Sequence, residues 1–321
     1  MNIVKRVFRK GYKILFKNKI EIKNLKEEND KLKYQLDYMK RHSDITLLKP
    51  ATGLLREYQL KELEFAKEVI ALFNKMDIYP FFDGGCLLGA VRHKGFVPWD
   101  DDVDLGVMRE DFEKIMQIAK EKFIWLDYDN TKSNADLTDL VDKALKENKN
   151  QYVFVRTPYC IHCYKGDSIQ NSQNCEFFPY DFIKDGITDK QYTDYIESVK
   201  KEVVLERPWK DIFAFYDEEL NRSPCLTKEK TSRIFPGLGN YAQTQYRFNG
   251  FLNYDDIYPL TEIDFENAKI PVPKKYELRA ANLYKNWKGY PSDVGISHDM
   301  ESLKEFMEKT NIPFKEEDFL F

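Results

Sequence analysis

Four aspartates follow a pair of glycines within one short stretch of the sequence, GGCLLGAVRHKGFVPWDDDVDLGV at residues 84–107. Asp100, Asp102 and Asp104 have the same parity, so an extended chain would project their side chains from one face. Carboxylates on one face repel one another unless a cation lies between them. Hard oxygen ligands suit Mg²⁺ or Mn²⁺, which bind carboxylates together with substrate phosphates. The spacing therefore predicts a divalent metal site that handles phosphate.

The residues that precede the aspartates predict a binding wall for these phosphates. A short buried strand, a turn at Gly84 and Gly85, and a helix follow one another over residues 79–91. Amide groups at a helix N-terminus after paired glycines form an anion site. Arg92 then offers a planar fork that matches phosphate oxygens, and Lys94 adds a second cation. We therefore expect Gly84, Gly85, Arg92 and Lys94 to hold the phosphates of a donor beside the metal site.

A further carboxylate lies in the apolar segment CEFFPYDF at residues 175–182. An acid in an apolar strand is costly unless a charge satisfies it, and a carboxylate on a neighbouring strand could serve the metal site as a further ligand. Glu176 is our candidate for this ligand. Asp181 competes with it, but we expect Asp181 to cap or end the strand. Asp102, Asp104 and Glu176 are thus the predicted catalytic carboxylates, with Asp100 as an additional metal ligand.

The stretch from Gly84 to Val107 resembles the LicD family, whose relatives include fukutin and fukutin-related protein. The match is close to continuous, which makes it far more specific than an isolated Gly-Gly or Asp-x-Asp. The resemblance implies an α/β nucleotidyltransferase fold of the polymerase-β type. It also implies transfer of a phospho-alcohol, commonly phosphocholine or a polyol phosphate, from a CDP-linked donor to a sugar hydroxyl of a glycan or glycolipid.

Two later segments are similar to the same family. LicD-like proteins carry an acid, often aspartate, just before a hydrophobic-hydrophobic-Pro segment, and this chain has Glu176 there. The segments between residues 257 and 284 resemble the C-terminal pattern of the family, although Lys285 follows Tyr284 where the family commonly has glycine. With these segments the resemblance extends over roughly residues 55–295.

The cysteines allow two interpretations. The chain has five, an odd number, and no secretory signal, which favours a reducing compartment and free thiols. Cys160 and Cys163 form a C-x-x-C motif with His162 between them and Cys175 nearby, a set that suits zinc. Buried thiols in adjacent strands are the alternative interpretation.

The elements that must position these residues alternate along the chain. A helix is predicted over residues 55–76, before the first strand, and further helices and strands follow the aspartates. Such alternation indicates a mixed sheet covered by helices. The elements predicted after the aspartates are a helix at 110–122, a strand at 123–128, a helix at 136–146, two strands that pair at 151–156 and 161–164, helices within 189–221, and a loop-rich segment at 227–254. We assign residues 55–321 to one catalytic domain.

The N-terminal segment predicts an attachment to a membrane surface. On a helical wheel, residues 3–17 place apolar side chains on one side and lysines and arginines on the other, with no acid before Glu21. Anionic lipid attracts each such cation by about 1 kcal/mol. We predict a basic amphipathic helix over residues 1–21 that lies on the inner, cytoplasmic face of the cell membrane. The alternatives are a helix docked on the catalytic domain and a basic arm that binds nucleic acid.

A heptad pattern follows over residues 22–41. Positions a and d are occupied by Ile22, Leu25, Asn29, Leu32, Leu36 and Met39. Asn29 at a single a position favours a parallel, two-stranded coiled coil, because two facing asparagines hydrogen-bond to each other. We therefore predict a parallel homodimer. Pro50 and Gly53 then indicate a hinge that ends helical structure.

Composition limits the remaining function classes. The 321 residues carry a net charge of −4, with 32% charged and 15% aromatic residues, and this balance argues against a nucleic-acid partner. Two alternatives to the phospho-alcohol transferase stay open. One is a nucleotidyltransferase that uses an NTP, and the other is a non-enzymatic, membrane-associated coiled-coil scaffold.

Overall fold

The structure is a computed structural model that describes residues 2–126, 134–202, 208–239, 248–285 and 287–289, without the side chains of residues 2–18, 20, 134 and 135. The chain divides into two compact units, Met1–Ile45 and Thr46–Phe321. In the described part of the chain, no helix is both long enough and apolar enough to cross a membrane.

The first unit is a single long helix, α1 (Asn2–His42), which runs without a break through both predicted N-terminal segments. Its last turn carries Lys40, Arg41 and His42, cations that favour the negative end of the helix dipole. The apolar heptad side chains are 50–59% exposed, at Ile22, Leu25, Leu32, Leu36 and Met39. The polarity predicted for residues 3–17 concerns side chains outside the described ones, and the coiled-coil pairing stays a prediction.

The second unit is built on a mixed sheet, which confirms the predicted α/β class. Its strands are β1 (Phe81–Phe82), β2 (Asp104–Met108), β3 (Ile124–Leu126), β4 (Val153–Arg156), β5 (Ile161–Lys165), β6 (Gln173–Ile183), β7 (Leu226–Thr227), β8 (Arg233–Pro236) and β9 (Leu252–Asn253). The main order is β1-β2-β6-β5-β4-β3. The β2–β6 and β3–β4 pairs are parallel, and the other neighbours are antiparallel. The end of β6 also pairs with β7 and β8.

Helices cover this sheet, and a separate hairpin lies beside it. The helices are α2 (Gly53–Asn74), α3 (Gly84–His93), α4 (Arg109–Lys122), α5 (Asn134–Glu147), α6 (Asp189–Glu202), α7 (Trp209–Arg222), α8 (Tyr254–Ile257) and α9 (Tyr276–Tyr284), and the hairpin joins β10 (Thr261–Phe265) to β11 (Ala268–Val272). Gly53 begins α2 with a positive φ of 60°, so its predicted role as a helix end is wrong. Gly84 and Gly85 likewise belong to the first turn of α3 and not to a separate turn.

The core lies on both faces of the sheet. Within β4, Phe154 packs into one hydrophobic cluster with α2, α3 and α4, while Val153 and Val155 pack into a second cluster with α5, α6 and α7. Side chains alternate between the faces of a strand, so the sheet is covered by helices on both sides here. Residues 127–133, which include the end of the predicted strand 123–128, lie outside the described part.

Candidate active site

Three adjacent strands bring two of the predicted carboxylates and a histidine into one row. In the parallel β2–β6 pair, Asp104 lies opposite Glu176, and in the antiparallel β5–β6 pair, Glu176 lies opposite His162. Residues in register project from the same face of a sheet. The amide of Glu176 also donates to the carbonyl of Val103 over 3.0 Å. Glu176 is therefore the neighbouring-strand carboxylate that the sequence predicted.

The aspartate cluster is a loop that enters β2. The strand begins only at Asp104, so residues 100–103 are not the extended strand that the parity argument assumed. The carboxylates of Asp100, Asp102 and Asp104 nevertheless interact closely with one another. Val103 and Leu105 are fully buried in the core. The acids of this segment therefore face the site while Val103 and Leu105 face the core. Two of the acids, Asp100 and Asp102, come from the loop and not from the strand.

The two glycines of α3 make room for two of these carboxylates. A Cβ atom at Gly84 would overlap Oδ2 of Asp104, and one at Gly85 would overlap Oδ2 of Asp100. Gly84 also has a positive φ of 55°, which glycine adopts without strain. Only hydrogen atoms at both positions allow the acids to lie against the N-terminus of α3, where the helix dipole favours negative charge.

The buried carboxylates of the cluster destabilise one another's ionised forms. Burial, followed by the charges of Asp102 and Asp101, raises the pKa of the Asp100 carboxyl well above its usual value, and Arg92 opposes this shift. Burial also raises the pKa of Asp104, and Asp102 and then Glu176 raise it further. Among the described residues, nothing donates a hydrogen bond to the buried Oδ2 of Asp100. An unpartnered carboxylate oxygen within a set of oxygen ligands fits a divalent metal such as Mg²⁺ or Mn²⁺.

The predicted cationic residues differ in their surroundings. Arg92 is buried in the last turn of α3, where its Nε donates to Nε2 of His93 over 2.8 Å. Its charge acts on Asp100, so it lies within electrostatic reach of the aspartates. Lys94 caps α3 in the left-handed conformation, with φ 58°, and its side chain is exposed. Roles of both residues toward a donor phosphate stay predictions.

Glu176 is held from two sides by residues of β5 and the turn before it. His162 Nδ1 lies 3.1 Å from Oε1 of Glu176, and the thiol of Cys160 donates to Oε2 over 3.5 Å. Burial alone would raise the pKa of Glu176, but the charge and hydrogen bond of His162 and the bond from Cys160 bring the pKa below its usual value. The Glu176 carboxyl is therefore ionised at neutral pH, whereas burial alone would favour its protonated form.

Helix α2 contributes polar contacts that the sequence reading missed. Gln59 is fully buried and its Nε2 donates to the carbonyls of Val97 and Asp100 over 3.2 and 2.8 Å. Glu62, also fully buried, accepts a 2.9 Å bond from the amide of Asn174 at the start of β6. These residues tie the aspartate loop and β6 to the same helix. Their spacing of three in an otherwise apolar helix face was the available signal.

A buried ion pair fixes the residue before the glycines. Asp83 accepts two bonds from Arg279 of α9, from Nε over 2.9 Å and from Nη2 over 2.7 Å, and the Tyr180 hydroxyl donates to the same carboxylate. Asp83 is the N-cap of α3, so this contact sets where the helix begins. The partners are 196 residues apart in the sequence, and no motif connected them.

Asp181 has different partners from the carboxylates of the row. It is buried inside β6, where its carboxylate binds Arg109 Nε over 2.7 Å and Nη2 over 3.1 Å, and accepts a 2.9 Å bond from the amide of Leu238. The expectation that Asp181 caps or ends the strand is therefore wrong. Arg109, which directly follows β2, supplies the charge that permits a buried acid inside β6, two residues before its last residue, Ile183.

The cysteines separate onto two faces of the sheet. Cys163 and Cys175 lie opposite each other in the β5–β6 pair and pack in the core cluster under α2. Cys160 and His162 instead lie with Glu176, with their ligand atoms within 4.8 Å of one another. The zinc interpretation, which grouped Cys160 and Cys163 with His162 and Cys175, is therefore wrong as a single set, because Cys163 and Cys175 lie in the core whereas Cys160 and His162 lie beside Glu176.

Comparisons with known proteins agree with this geometry. Residues 77–188 match the family model LicD/FKTN/FKRP, nucleotidyltransferase domain. The chain is similar to lipopolysaccharide cholinephosphotransferase LicD of Haemophilus influenzae, with 41% identity over 64 residues, which cover 20% of this chain and 24% of that protein. It is also similar to human ribitol 5-phosphate transferase FKRP, with 40% identity over 55 residues, covering 17% of this chain and 11% of FKRP.

A third relative is the uncharacterized protein RP689 of Rickettsia prowazekii, with 41% identity over 58 residues that cover 18% of this chain and 22% of that protein. The chain therefore spans no more than about a quarter of the length of the curated relatives that it matches. The residues that match the family model include the glycine pair, the aspartate cluster and Glu176, in the arrangement described above. Residues 77–188, which match the LicD/FKTN/FKRP family model, are thus the part of the chain that carries the row of Asp104 and Glu176.

Proposed function

We propose that this protein transfers a phospho-alcohol, either phosphocholine or a polyol phosphate, from a CDP-linked donor to a sugar hydroxyl of a cell-surface glycan or glycolipid. The observation that carries the proposal is the register of Asp104 with Glu176, beside carboxylates that lie against the glycines of α3. The printed functions of two relatives, a cholinephosphotransferase and a ribitol 5-phosphate transferase, support the class of group that is moved.

The carboxylates would bind the metal that this reaction needs. Asp100, Asp102, Asp104 and Glu176 offer only hard oxygen ligands, and together they carry more negative charge than their surroundings compensate. When bound, Mg²⁺ or Mn²⁺ would neutralise the charge of the donor pyrophosphate and polarise the phosphoryl group. The glycine contacts hold Asp100 and Asp104 in place, so these ligands need little reorganisation when a metal arrives.

Two further roles follow from the surroundings of single residues. Glu176 is ionised at neutral pH, which allows it to accept the proton of the acceptor hydroxyl. Arg92 presents a planar fork close to Asp100, a position suited to the donor phosphates together with the first amides of α3. Lys94, with its exposed side chain, would contact the donor only at its outer phosphate or sugar.

We also propose that α1 attaches the enzyme to the inner face of the cell membrane as a parallel homodimer. The exposed heptad side chains and Asn29 support the dimer, and the basic pattern of residues 3–17 supports binding to anionic lipid. Donor and acceptor would then meet at the membrane surface, where glycolipid acceptors are concentrated.

A donor assay tests the proposal directly. The purified full-length protein would be incubated with Mg²⁺ and with CDP-choline, CDP-ribitol, CDP-glycerol or NTPs, and release of CMP or pyrophosphate would be measured with and without a glycan acceptor. We expect CMP from at least one CDP-linked donor, and its loss in Asp104→Asn. Asp264→Asn is the matched control, because Asp264 is 72% exposed and pairs with Lys269 in the hairpin, so this variant should retain activity.

Release of pyrophosphate from an NTP with no CMP from any CDP-linked donor would replace our proposal by the NTP-dependent alternative. Consumption of no donor at all would favour the scaffold. Mass spectrometry of surface glycans from cells with and without the protein would then identify the transferred group, since its mass distinguishes phosphocholine from polyol phosphates.

A further inference from the structure

Cys160, His162 and Glu176 form a cluster of three different metal-binding groups at the edge of the carboxylate site. Cys160 Sγ lies 3.3 Å from His162 Nε2 and 3.5 Å from Glu176 Oε2. A tetrahedral Zn²⁺ ion, with bonds of about 2.3 Å to sulfur and about 2.0 Å to nitrogen or oxygen, separates such ligands by roughly 3.6 Å. The separations of the sulfur from the nitrogen and from the oxygen are therefore close to those of ligands of one ion, and one ligand atom from each of the three groups lies within 4.8 Å of the others.

The surroundings of the cluster support ligation. Cys160 and His162 are buried, and a turn fixes the cysteine, since Thr157 donates its amide to the Cys160 carbonyl over 2.8 Å. The Thr157 hydroxyl also lies 3.2 Å from the sulfur, where it can donate to a thiolate. On the histidine, Nδ1 faces the Tyr164 hydroxyl at 3.3 Å and Glu176 Oε1, which leaves Nε2 directed at the sulfur. Such outer partners orient ligands in zinc sites.

We propose that Cys160, His162 and Glu176 bind a borderline-soft divalent cation of the Zn²⁺ class, at a site separate from the aspartates but sharing Glu176 with them. Thiolate and imidazole select Zn²⁺ over Mg²⁺, whereas Asp100, Asp102 and Asp104 offer only oxygen. Binding would release the thiol proton of Cys160 to solvent, since the thiolate is the ligand. A water or a substrate oxygen would occupy the fourth position.

The shared carboxylate gives the site a consequence for the proposed function. An ion bound to Oε2 of Glu176 at Cys160 would draw electron density from this carboxylate. Glu176 would then be a weaker ligand and a weaker base for the proposed reaction, so we expect the ion to inhibit transfer. This consequence rests on the proposed function, but binding of the ion itself does not.

Cobalt substitution tests binding without any substrate. Co²⁺ would be titrated into the full-length, metal-free protein, because a thiolate ligand gives a sulfur-to-cobalt charge-transfer band in the near ultraviolet that carboxylate ligands do not give. We expect this band at one Co²⁺ per chain, and displacement of Co²⁺ by Zn²⁺. Cys160→Ser should lose the band, and His162→Ala should weaken Zn²⁺ binding at least about tenfold.

Cys163→Ser and Cys175→Ser are matched controls, since both thiols lie on the core face of the same strands. The band should persist in both, and circular dichroism would confirm that every variant is folded. Absence of the band in the wild-type protein, or its persistence in Cys160→Ser, would overturn the proposed site. Failure of the CDP-donor assay alone would leave the cobalt result intact, so the two proposals fail separately.

Discussion

At the scale of single residues, the contact between Asp104 and Gly84 has the largest consequence for the site. The carboxylate lies where a glycine leaves space, against a helix N-terminus and among other acids. Burial and the charges of Asp102 and Glu176 raise its pKa, which means that the ionised form is unfavourable in the metal-free protein. In its ionised form, Asp104 therefore lowers the stability of the metal-free protein.

Asp104→Asn should affect the thermal stability of the metal-free protein and the proposed transfer activity differently. The neutral amide removes charge repulsion and finds carboxylate acceptors around it, so we expect the thermal midpoint of the metal-free protein to be unchanged or higher by a few degrees. Turnover should fall to background, because a ligand is lost. Differential scanning calorimetry with EDTA, then with Mg²⁺, would measure the first effect and the CMP assay the second. Activity close to that of the wild-type protein would refute the metal role of Asp104.

Arg92→Lys tests the phosphate fork. Lysine keeps the positive charge near Asp100 but loses the planar pair of donors, so we expect the KM for the CDP-linked donor to rise about tenfold or more. Steady-state kinetics over a range of donor concentrations would measure it. Lys94→Met is the comparison, since the exposed Lys94 should change the KM less. Wild-type kinetics in Arg92→Lys would identify Arg92 as a structural residue of the end of α3.

At the scale of elements, α2 acts as the support of the aspartate loop. Arg56, Gln59 and Glu62 follow one another at intervals of three residues and reach the hairpin, the loop and β6 in turn. Glu266 of the hairpin binds Arg56, with 2.7 Å between Nη1 and Oε1, and accepts a 2.9 Å bond from the amide of Phe96. The loop that carries the aspartates is thus held from outside the LicD-type segment.

Glu266→Gln should weaken this support in a pH-dependent way. Burial raises the pKa of Glu266, but the bonds from Arg56 and Phe96 outweigh it, so the folded pKa is below its usual value. The ion pair therefore contributes stability above the unfolded pKa and loses it as the pH falls through the folded pKa. We expect the variant to lose about 1–3 kcal/mol in urea unfolding at neutral pH.

The difference between Glu266→Gln and the wild type should shrink in acid, because protonated Glu266 also lacks the charge. Lys269→Gln is the control, since its pair with Asp264 is exposed and should contribute little. An equal loss of stability for Glu266→Gln at neutral and acid pH would contradict a role for the charge.

Some positions of the candidate site could be predicted from the sequence, and others depend on the fold. The glycine pair, the aspartates and Glu176 were predictable because they belong to a continuous motif and to an acid in an apolar strand. The division of Cys160 from Cys163 could not be predicted, because β5 begins only at Ile161 and Cys160 belongs to the turn before it. The partner of Asp83, Arg279, could not be predicted, because a contact over 196 residues depends on the tertiary fold.

At the scale of the whole molecule, the division into two compact units predicts that α1 can be removed. Deletion of residues 1–41 should abolish co-sedimentation with vesicles that contain anionic lipid and leave transfer to a soluble acceptor nearly unchanged. Two amphipathic helices in a dimer bind a surface far better than one, so the loss should be almost complete. Binding of the intact protein should weaken as salt rises.

The heptad makes a separate prediction. Asn29→Leu should strengthen association of the chains but broaden their oligomeric state, because the facing asparagines specify two parallel strands at a cost in stability. Multi-angle light scattering on the intact protein, Asn29→Leu and the truncated form would measure this. An intact protein that is monomeric and stays in the supernatant at low salt would contradict both the dimer and the membrane attachment.

The longest strand of the sheet, β6, predicts where hydrogen exchange in the domain is slowest. β6 pairs with β5 over residues 173–177, with β2 over 176–180, with β8 over 180–183 and with β7 over 182–183. Each residue of β6 therefore has a paired strand on at least one side. Amides of such a strand exchange with deuterium only when the cooperative unit unfolds as a whole. Native-state hydrogen exchange should therefore find the amide of Glu176 among the slowest in the protein. Glu176 would then keep its position on β6 through local openings of the domain.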